Sequence, residues 1–157
     1  MKNMLNRLKE KQNKKGFTLV EIIVVLVILA ILAAIAIPAV LGYVEDARKS
    51  QYIAEARSIY LVVQTEEAKM RTRDGIGEYD DNDNNVYNAY TSLYAKLYDH
   101  DGKQGTVSKK TGLEVVMIHR GADIDKDKYY LAWNTTNGKQ IIAGVNKNKN
   151  VEIESIN

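Results

Sequence analysis

The sequence contains no cysteine, and this absence excludes several kinds of chemistry. Disulfides, thiolate metal sites and thiol nucleophiles all require that side chain. Any globular domain must therefore be held together by packing alone. Histidine is scarce as well, since His100 and His119 are the only two, and their separation matches no zinc motif. Neither Ser92 nor Ser108 lies in a nucleophile motif, so we expect neither an enzyme nor a cofactor.

Positive charge is concentrated at the amino terminus. Residues 1–16 hold six Lys or Arg against a single Glu, a charge of +5, and because the whole chain carries +2, the remainder carries −3. Nonspecific nucleic-acid binding needs a basic surface that displaces counterions. The slightly acidic body of the chain therefore predicts no nucleic-acid partner.

One long apolar run follows the basic tail. Residues 22–41 read "IIVVLVILAILAAIAIPAVL", without a charge. At 1.5 Å per residue such a helix is about 30 Å long, which is the thickness of a bilayer's hydrocarbon core. In a helix of a soluble protein core, apolar residues would alternate with polar ones. We therefore predict a single membrane span, with the amino terminus in the cytoplasm and residues 44 onward outside, by the positive-inside rule.

A single carboxylate, Glu21, stands at the start of this run. A charge at the centre of a membrane helix costs about 2.5–3.5 kcal/mol, and such charges usually have a partner. A secretory signal has its small-residue cleavage site after the apolar run, whereas here Gly16 precedes it. Cleavage after Gly16 would create an amine on Phe17, with which Glu21 pairs in its own chain or in a neighbour. A helix-terminus acid, favoured there by the helix dipole and without further function, is the alternative.

The segment "KKGFTLVE", followed by the apolar run with Pro38 inside it, resembles the class III signal of type IV prepilins and of the related pseudopilins of type II secretion. The resemblance implies that a prepilin peptidase cleaves after Gly16 and methylates the amine of Phe17. It also implies that Glu21 pairs with the Phe17 amine of an adjacent subunit during assembly. In the filament the helix is expected to melt partly around Pro38, although Ala30 stands where many relatives have glycine.

The helix is predicted to continue to Arg73, because no proline or glycine occurs between Gly42 and Arg73. Apolar residues fall on one arc at helical spacing over this second half, with Glu67 interrupting the stripe. The sequence "DGIG" at 74–77 is expected to end the helix. The stripe residues are Tyr52, Ala56, Ile59, Tyr60, Val63 and Met70.

The remainder of the chain predicts a short helix and a sheet. Apolar residues recur at helical spacing over residues 86–98, and the tyrosines among them favour core packing over a carbohydrate-stacking surface. Segments rich in β-branched and aromatic residues then predict three or four antiparallel strands, with Asn137-Gly138 as a hairpin signal. The predicted strands are residues 113–119, 128–135, 139–145 and 151–156.

Two acidic loops make calcium a minor alternative. Asp123, Asp125 and Asp127 have the one-three-five spacing of a calcium loop, but the expected glycine at the sixth position and acid at the twelfth are missing. The second loop, "EYDDNDNN" at 78–85, is rich in oxygen ligands. Solvated loops are the preferred interpretation of both, and no metal is expected.

These patterns together predict an α+β pilin fold. A long protruding amino-terminal helix, with a membrane half and an amphipathic half, packs on a three- or four-stranded antiparallel sheet. The expected division is a cleaved cytoplasmic leader (1–16), a transmembrane and assembly helix (17–43) and an extracellular globular domain (44–157).

The resemblance implies a structural subunit of a type IV pilus that serves adhesion, motility or biofilm formation. The expected partners are the prepilin peptidase, an inner-membrane assembly platform, the membrane before assembly, and other copies of the chain in a helical filament. The chain is expected to cross the cell membrane once and later to reach the surface pilus. Alternatives are a pseudopilin or minor pilin of a type II secretion or competence apparatus, and a single-pass anchor that presents a binding domain.

Overall fold

A computed structural model describes residues 16–121, 125 and 127–157, and shows an α+β chain. Three helices precede four strands along the sequence. The helices are α1 (Leu19–Asp74), α2 (Asn84–Leu97) and α3 (Thr106–Thr111). The strands are β1 (Glu114–Arg120), β2 (Lys128–Asn134), β3 (Gln140–Asn146) and β4 (Val151–Ile156). The prediction of a long amino-terminal helix packed on an antiparallel sheet is confirmed, with four strands.

The chain divides into two compact units, the first ending at Glu45 and the second spanning Asp46–Asn157. Helix α1 contributes its first half to one unit and its second half to the other. In the first unit, every described residue is exposed. The second unit holds the hydrophobic core, in which the second half of α1 packs with α2, α3 and the inner face of the sheet.

The apolar stripe on the second half of α1 is buried as its spacing predicts. All six of its predicted members are buried, with Ala56, Ile59 and Val63 at 0% exposure. The helix ends where the glycines begin: Gly75 has a φ of +66°, a left-handed conformation that glycine adopts without strain. The Gly75 N–H donates to the carbonyl of Arg71, closing the last turn.

The sheet is a meander in which each strand pairs antiparallel with its neighbour in the chain, in the order β1-β2-β3-β4. In β2 and β3 the alternate residues that face the core are buried, and Ala132 and Gly144 on the opposite face are buried as well. Trp133 of β2 is fully buried, and its indole N–H donates to the Glu55 carboxylate of α1 over 2.7 Å. The predicted β2–β3 hairpin is confirmed, with Gly138 in the left-handed region at φ +77°.

A lysine side chain crosses the exposed face of the sheet over a glycine. The Lys128 side chain crosses β3 at Gly144, where a Cβ atom would collide with it. Its Nζ reaches Glu154 at 3.0 Å and Glu152 at 3.3 Å, both on β4. Val151 and Ile153 pack toward the core on the opposite face, in the alternation typical of a strand with one covered face.

Helix α3 is a correction to the prediction, which had the chain turning directly into strands after "HDGKQG". Its six residues show no apolar periodicity, and local contacts at its ends define it. The Asp99 carboxylate accepts from the Gly105 N–H at 2.6 Å, and Gly112 ends the helix in the left-handed conformation. A side chain at Gly105 would collide with the Leu97 carbonyl, so glycine permits α3 to pack directly against the end of α2.

Residues 44–157, expressed without the apolar segment, are expected to form a folded and soluble monomer. The stripe on α1 is covered by elements of the same unit, so little apolar surface is left without a partner. Circular dichroism and size-exclusion chromatography measure this. A matched fragment, residues 64–157, lacks most of the stripe and is expected to be unfolded. Aggregation or a random-coil spectrum of residues 44–157 would contradict the division.

Candidate processing and assembly site

Helix α1 begins with a reciprocal pair of hydrogen bonds between Thr18 and Glu21. The Glu21 N–H donates to the Thr18 hydroxyl at 3.2 Å, and the Thr18 N–H donates to the Glu21 carboxylate at 3.3 Å. The Ile22 N–H then donates to the Thr18 carbonyl as the first helical bond. This arrangement is a capping box, which satisfies amide groups that a helix start leaves without partners. The spacing Thr-x-x-Glu before an apolar run is its sequence signal, and the sequence analysis missed it.

The capping box places the Glu21 carboxylate at the helix start, beside Phe17. Phe17 precedes the helix and is 79% exposed, while Gly16 before it is exposed and non-helical. A peptide bond in an exposed and non-helical segment is accessible to a peptidase. Within the described residues Glu21 forms no ion pair, so its charge is available to a cation from outside the chain.

The helix that follows presents apolar side chains on every side. The large apolar residues from Phe17 to Val44 are between 40% and 79% exposed. Within the described part of the chain, α1 is the one helix long and apolar enough to cross a membrane. A surface of this extent is stable in lipid or against other apolar surfaces, but not in water.

Pro38 lies inside α1, within the apolar segment. Proline has no N–H to donate to the residue four positions earlier, which leaves the carbonyl of Ala34 without its usual helical bond. Surrounding lipid cannot replace that bond, whereas neighbouring helices and local adjustments of the backbone do so in membrane proteins. Pro38 is therefore the weakest point of hydrogen bonding in this segment.

The sequence from residue 11 to residue 37 matches a family model described as "Prokaryotic N-terminal methylation motif". The matched range includes Gly16, Phe17 and Glu21 at the start of the helix. The chain carries a prokaryotic N-terminal methylation motif. Neither a curated protein nor a solved structure matches the chain.

The methylation motif is the class III signal of type IV pilins, so the predicted resemblance is confirmed. It supports a place for the chain in the type IV pilin-like family of prepilins and pseudopilins. The motif implies processing by a prepilin peptidase and assembly into filaments. The motif is typical of structural subunits, and with the apolar helix it fits a membrane-anchored precursor.

Outside the methylation motif, the second unit contains a buried carboxylate that the sequence analysis read as an interruption. Glu67 of α1 is only 3% exposed. The Tyr94 hydroxyl of α2 donates to it at 2.6 Å, and the Tyr129 hydroxyl of β2 at 2.9 Å. Arg120 of β1 lies 3.7 Å away and stacks over the Tyr79 ring at 4.6 Å. Glu67 thus ties α1 to one helix and two strands.

Two of the acidic residues considered for metal binding accept hydrogen bonds from nearby residues of the chain. The Asp83 carboxylate accepts from the backbone of α2 as its N-cap, and Asp80 accepts from Asn82. Asp123 lies outside the described residues, so the Asp123 loop is described only at Asp125 and Asp127. In the part of the chain that the structure describes, no three acidic or histidine residues are grouped to hold a metal ion.

The buried tyrosines predict a loss of stability in alkali. Burial, and then the Glu67 carboxylate, raise the pKa of Tyr94 and of Tyr129 above the ordinary value of 10.0. In the unfolded chain these phenols lose their protons from about pH 10, while the folded domain retains them. Stability is therefore fully present below about pH 10 and falls as the pH rises further.

Urea denaturation of residues 44–157 between about pH 7 and pH 11 measures this loss, with phenolate absorbance as the second signal. Because the pKa of both buried phenols is raised, Tyr94 and Tyr129 are expected to ionise together with unfolding. A urea midpoint that stays constant through pH 11 would contradict the prediction.

Proposed function

We propose that the chain is a structural subunit of a type IV pilus. The peptidase cleaves it after Gly16 and methylates the new amine on Phe17. The methylation motif, which extends into an exposed apolar helix, carries this proposal. In the membrane the helix is covered by lipid, and in the filament it is covered by the helices of other copies. The three parts of the chain are then the leader 1–16, the assembly helix 17–43 and the surface domain 44–157.

Glu21 gives this assembly its register. When a subunit leaves the lipid for a bundle of helices, an unpaired carboxylate inside that bundle costs several kcal/mol. The methylated amine of Phe17 in an adjacent subunit offsets this cost only when the two helices stand at the correct height. The capping box with Thr18 supports the proposal, because it holds the carboxylate at the helix start before any partner arrives. Local loss of helix around Pro38 adapts the helix to its neighbours.

Mass spectrometry of the protein from its native host tests the processing step. The expected mass begins at an N-methylated Phe17, without residues 1–16. Gly16→Val is expected to leave the full-length precursor in the membrane. A native amino terminus at Met1 or Lys2 would overturn the proposal in favour of a membrane anchor that presents a domain.

Electron microscopy of sheared surface filaments, with peptide identification, tests the assembly step. The chain is expected to be the main component of the filaments. A chain that is cleaved and present in the membrane but absent from surface filaments would instead indicate a pseudopilin of a secretion or competence apparatus.

A further inference from the structure

A cleft at the carboxyl-terminal end of α2 is lined by cations and by no carboxylate. Lys96 lies in the last turn of α2, Lys103 in the following turn and Lys109 on α3, with His100 in the same wall. All four residues are exposed. Within the described residues, none of the three lysines has a carboxylate within 4.0 Å. We name this surface the basic cleft.

The opposite end of α2 carries the opposite charge. Residues 78–83 contain four carboxylates and no lysine or arginine. Glu78 lies 4.0 Å from Arg71 and has 93% of its side chain exposed, and Asp83 caps the first turn of α2. We name residues 78–83 the acidic loop. The acidic loop and the basic cleft are thus joined by one rigid helix of 14 residues.

These two surfaces cannot meet within one chain. A helix of 14 residues is about 21 Å long, whereas an ion pair requires about 4 Å. The positions of Asp83 and Lys96 are explained by the helix dipole, which favours a negative charge at the start of a helix and a positive charge at its end. The dipole of α2 does not explain the positions of Lys103 and Lys109, because both residues lie beyond the end of α2. Lys103 and Lys109 thus give the cleft a positive charge that complements the acidic loop at the other end of α2.

We propose that the basic cleft of one subunit binds the acidic loop of another copy of this chain. Two different surfaces that complement each other form a head-to-tail contact, and such contacts generate open helical polymers instead of closed dimers. Complementary charge sets partner choice and register more than it sets affinity. The proposal rests on the proposed function, since it assigns to the surface domain a contact inside the filament. Exposed pairs of this kind are screened by salt, so the contact weakens as ionic strength rises.

Charge reversal tests the contact in the full chain, in the host that assembles it. Lys103→Glu with Lys109→Glu reverses the cleft, and Glu78→Lys with Asp81→Lys reverses the loop without touching the Asp83 cap. Each pair alone is expected to lower filament yield several-fold, and the four substitutions together to restore it. Lys139→Glu with Lys149→Glu is the matched control, because both lysines are exposed and outside the cleft. Unchanged yield from both single reversals would overturn the proposal.

Cysteine cross-linking gives a second readout, since the chain has no thiol of its own. Chains carrying Lys103→Cys and chains carrying Asp81→Cys are produced together, and intact filaments are treated with a mild oxidant. A disulfide-linked dimer is expected from the mixture, but not from Lys139→Cys mixed with Asp81→Cys. If filaments contain the chain yet yield no such dimer, the proposed contact is overturned, whereas the proposed function as a pilus subunit is not. A chain that is absent from filaments would overturn the proposed function itself.

Discussion

Glu21→Ala is expected to abolish filaments almost completely while leaving membrane insertion and cleavage normal. The substitution removes a charge from an apolar segment, so insertion becomes easier. Assembly fails because the methylated amine of an adjacent Phe17 loses its partner and the helices lose their register. Immunoblotting of membranes for the cleaved protein, together with electron microscopy of surface filaments, measures both effects.

Two further variants separate the charge of Glu21 from its role in the capping box. Glu21→Gln keeps the side-chain size and retains a group that caps the Thr18 N–H, but it carries no charge. We expect it to assemble as poorly as the alanine variant. Thr18→Ala keeps the charge and removes the capping hydroxyl, at a typical cost of about 1 kcal/mol, and we expect it to assemble nearly normally. Wild-type filament yield from Glu21→Gln would show that Glu21 acts only as an acid at the helix terminus, without a role in assembly.

Glu67→Ala is expected to lower the stability of the surface domain by about 3–5 kcal/mol. The substitution removes the carboxylate that lies 3.7 Å from the half-buried Arg120, and it leaves the hydroxyls of Tyr94 and Tyr129 without this acceptor. Domains of this size are stable by only about 5–15 kcal/mol, so the variant is close to unfolding at ordinary temperature. Urea denaturation of residues 44–157 measures the change in the free energy of unfolding.

The neighbouring Glu66 provides the matched control. Its partners Lys69 and Lys110 are exposed, and ion pairs of that kind contribute about 1 kcal/mol or less. Glu66→Ala is therefore expected to change stability much less than Glu67→Ala. Equal effects of the two substitutions would show that the buried cluster does not hold α1 against the sheet.

Periodicity was sufficient to predict the elements that bury a continuous face. The stripe from Tyr52 to Met70 on α1 and the alternation of Val151 and Ile153 on β4 each follow from the repeat of the structure they form. Asn137-Gly138 located a hairpin because glycine accepts the left-handed conformation there. These signals are local, so a single sequence is enough to detect them.

The contacts that depend on tertiary structure could not be predicted. Glu67 reads as a break in the apolar stripe, because its partners lie 27 and 62 residues away in the sequence. Helix α3 lacks periodicity and depends on the position of Asp99 near Gly105. The capping box at Thr18 is a different case. Its spacing was visible in the sequence, and the attention given to the charge of Glu21 obscured its hydrogen bonds.

The open sheet has two outer strands, and each is protected in a different way. Exposed edges present unpaired amide and carbonyl groups, on which another chain can add a strand and start an amyloid-like aggregate. On β1, the Val115 carbonyl accepts from the Asp99 N–H and its N–H donates to the Ser108 hydroxyl, so the start of this edge is already paired. On β4, the carboxylates of Glu152 and Glu154 place negative charge along the strand. Both edges thus carry features that hinder the joining of sheets when copies of the chain are crowded together.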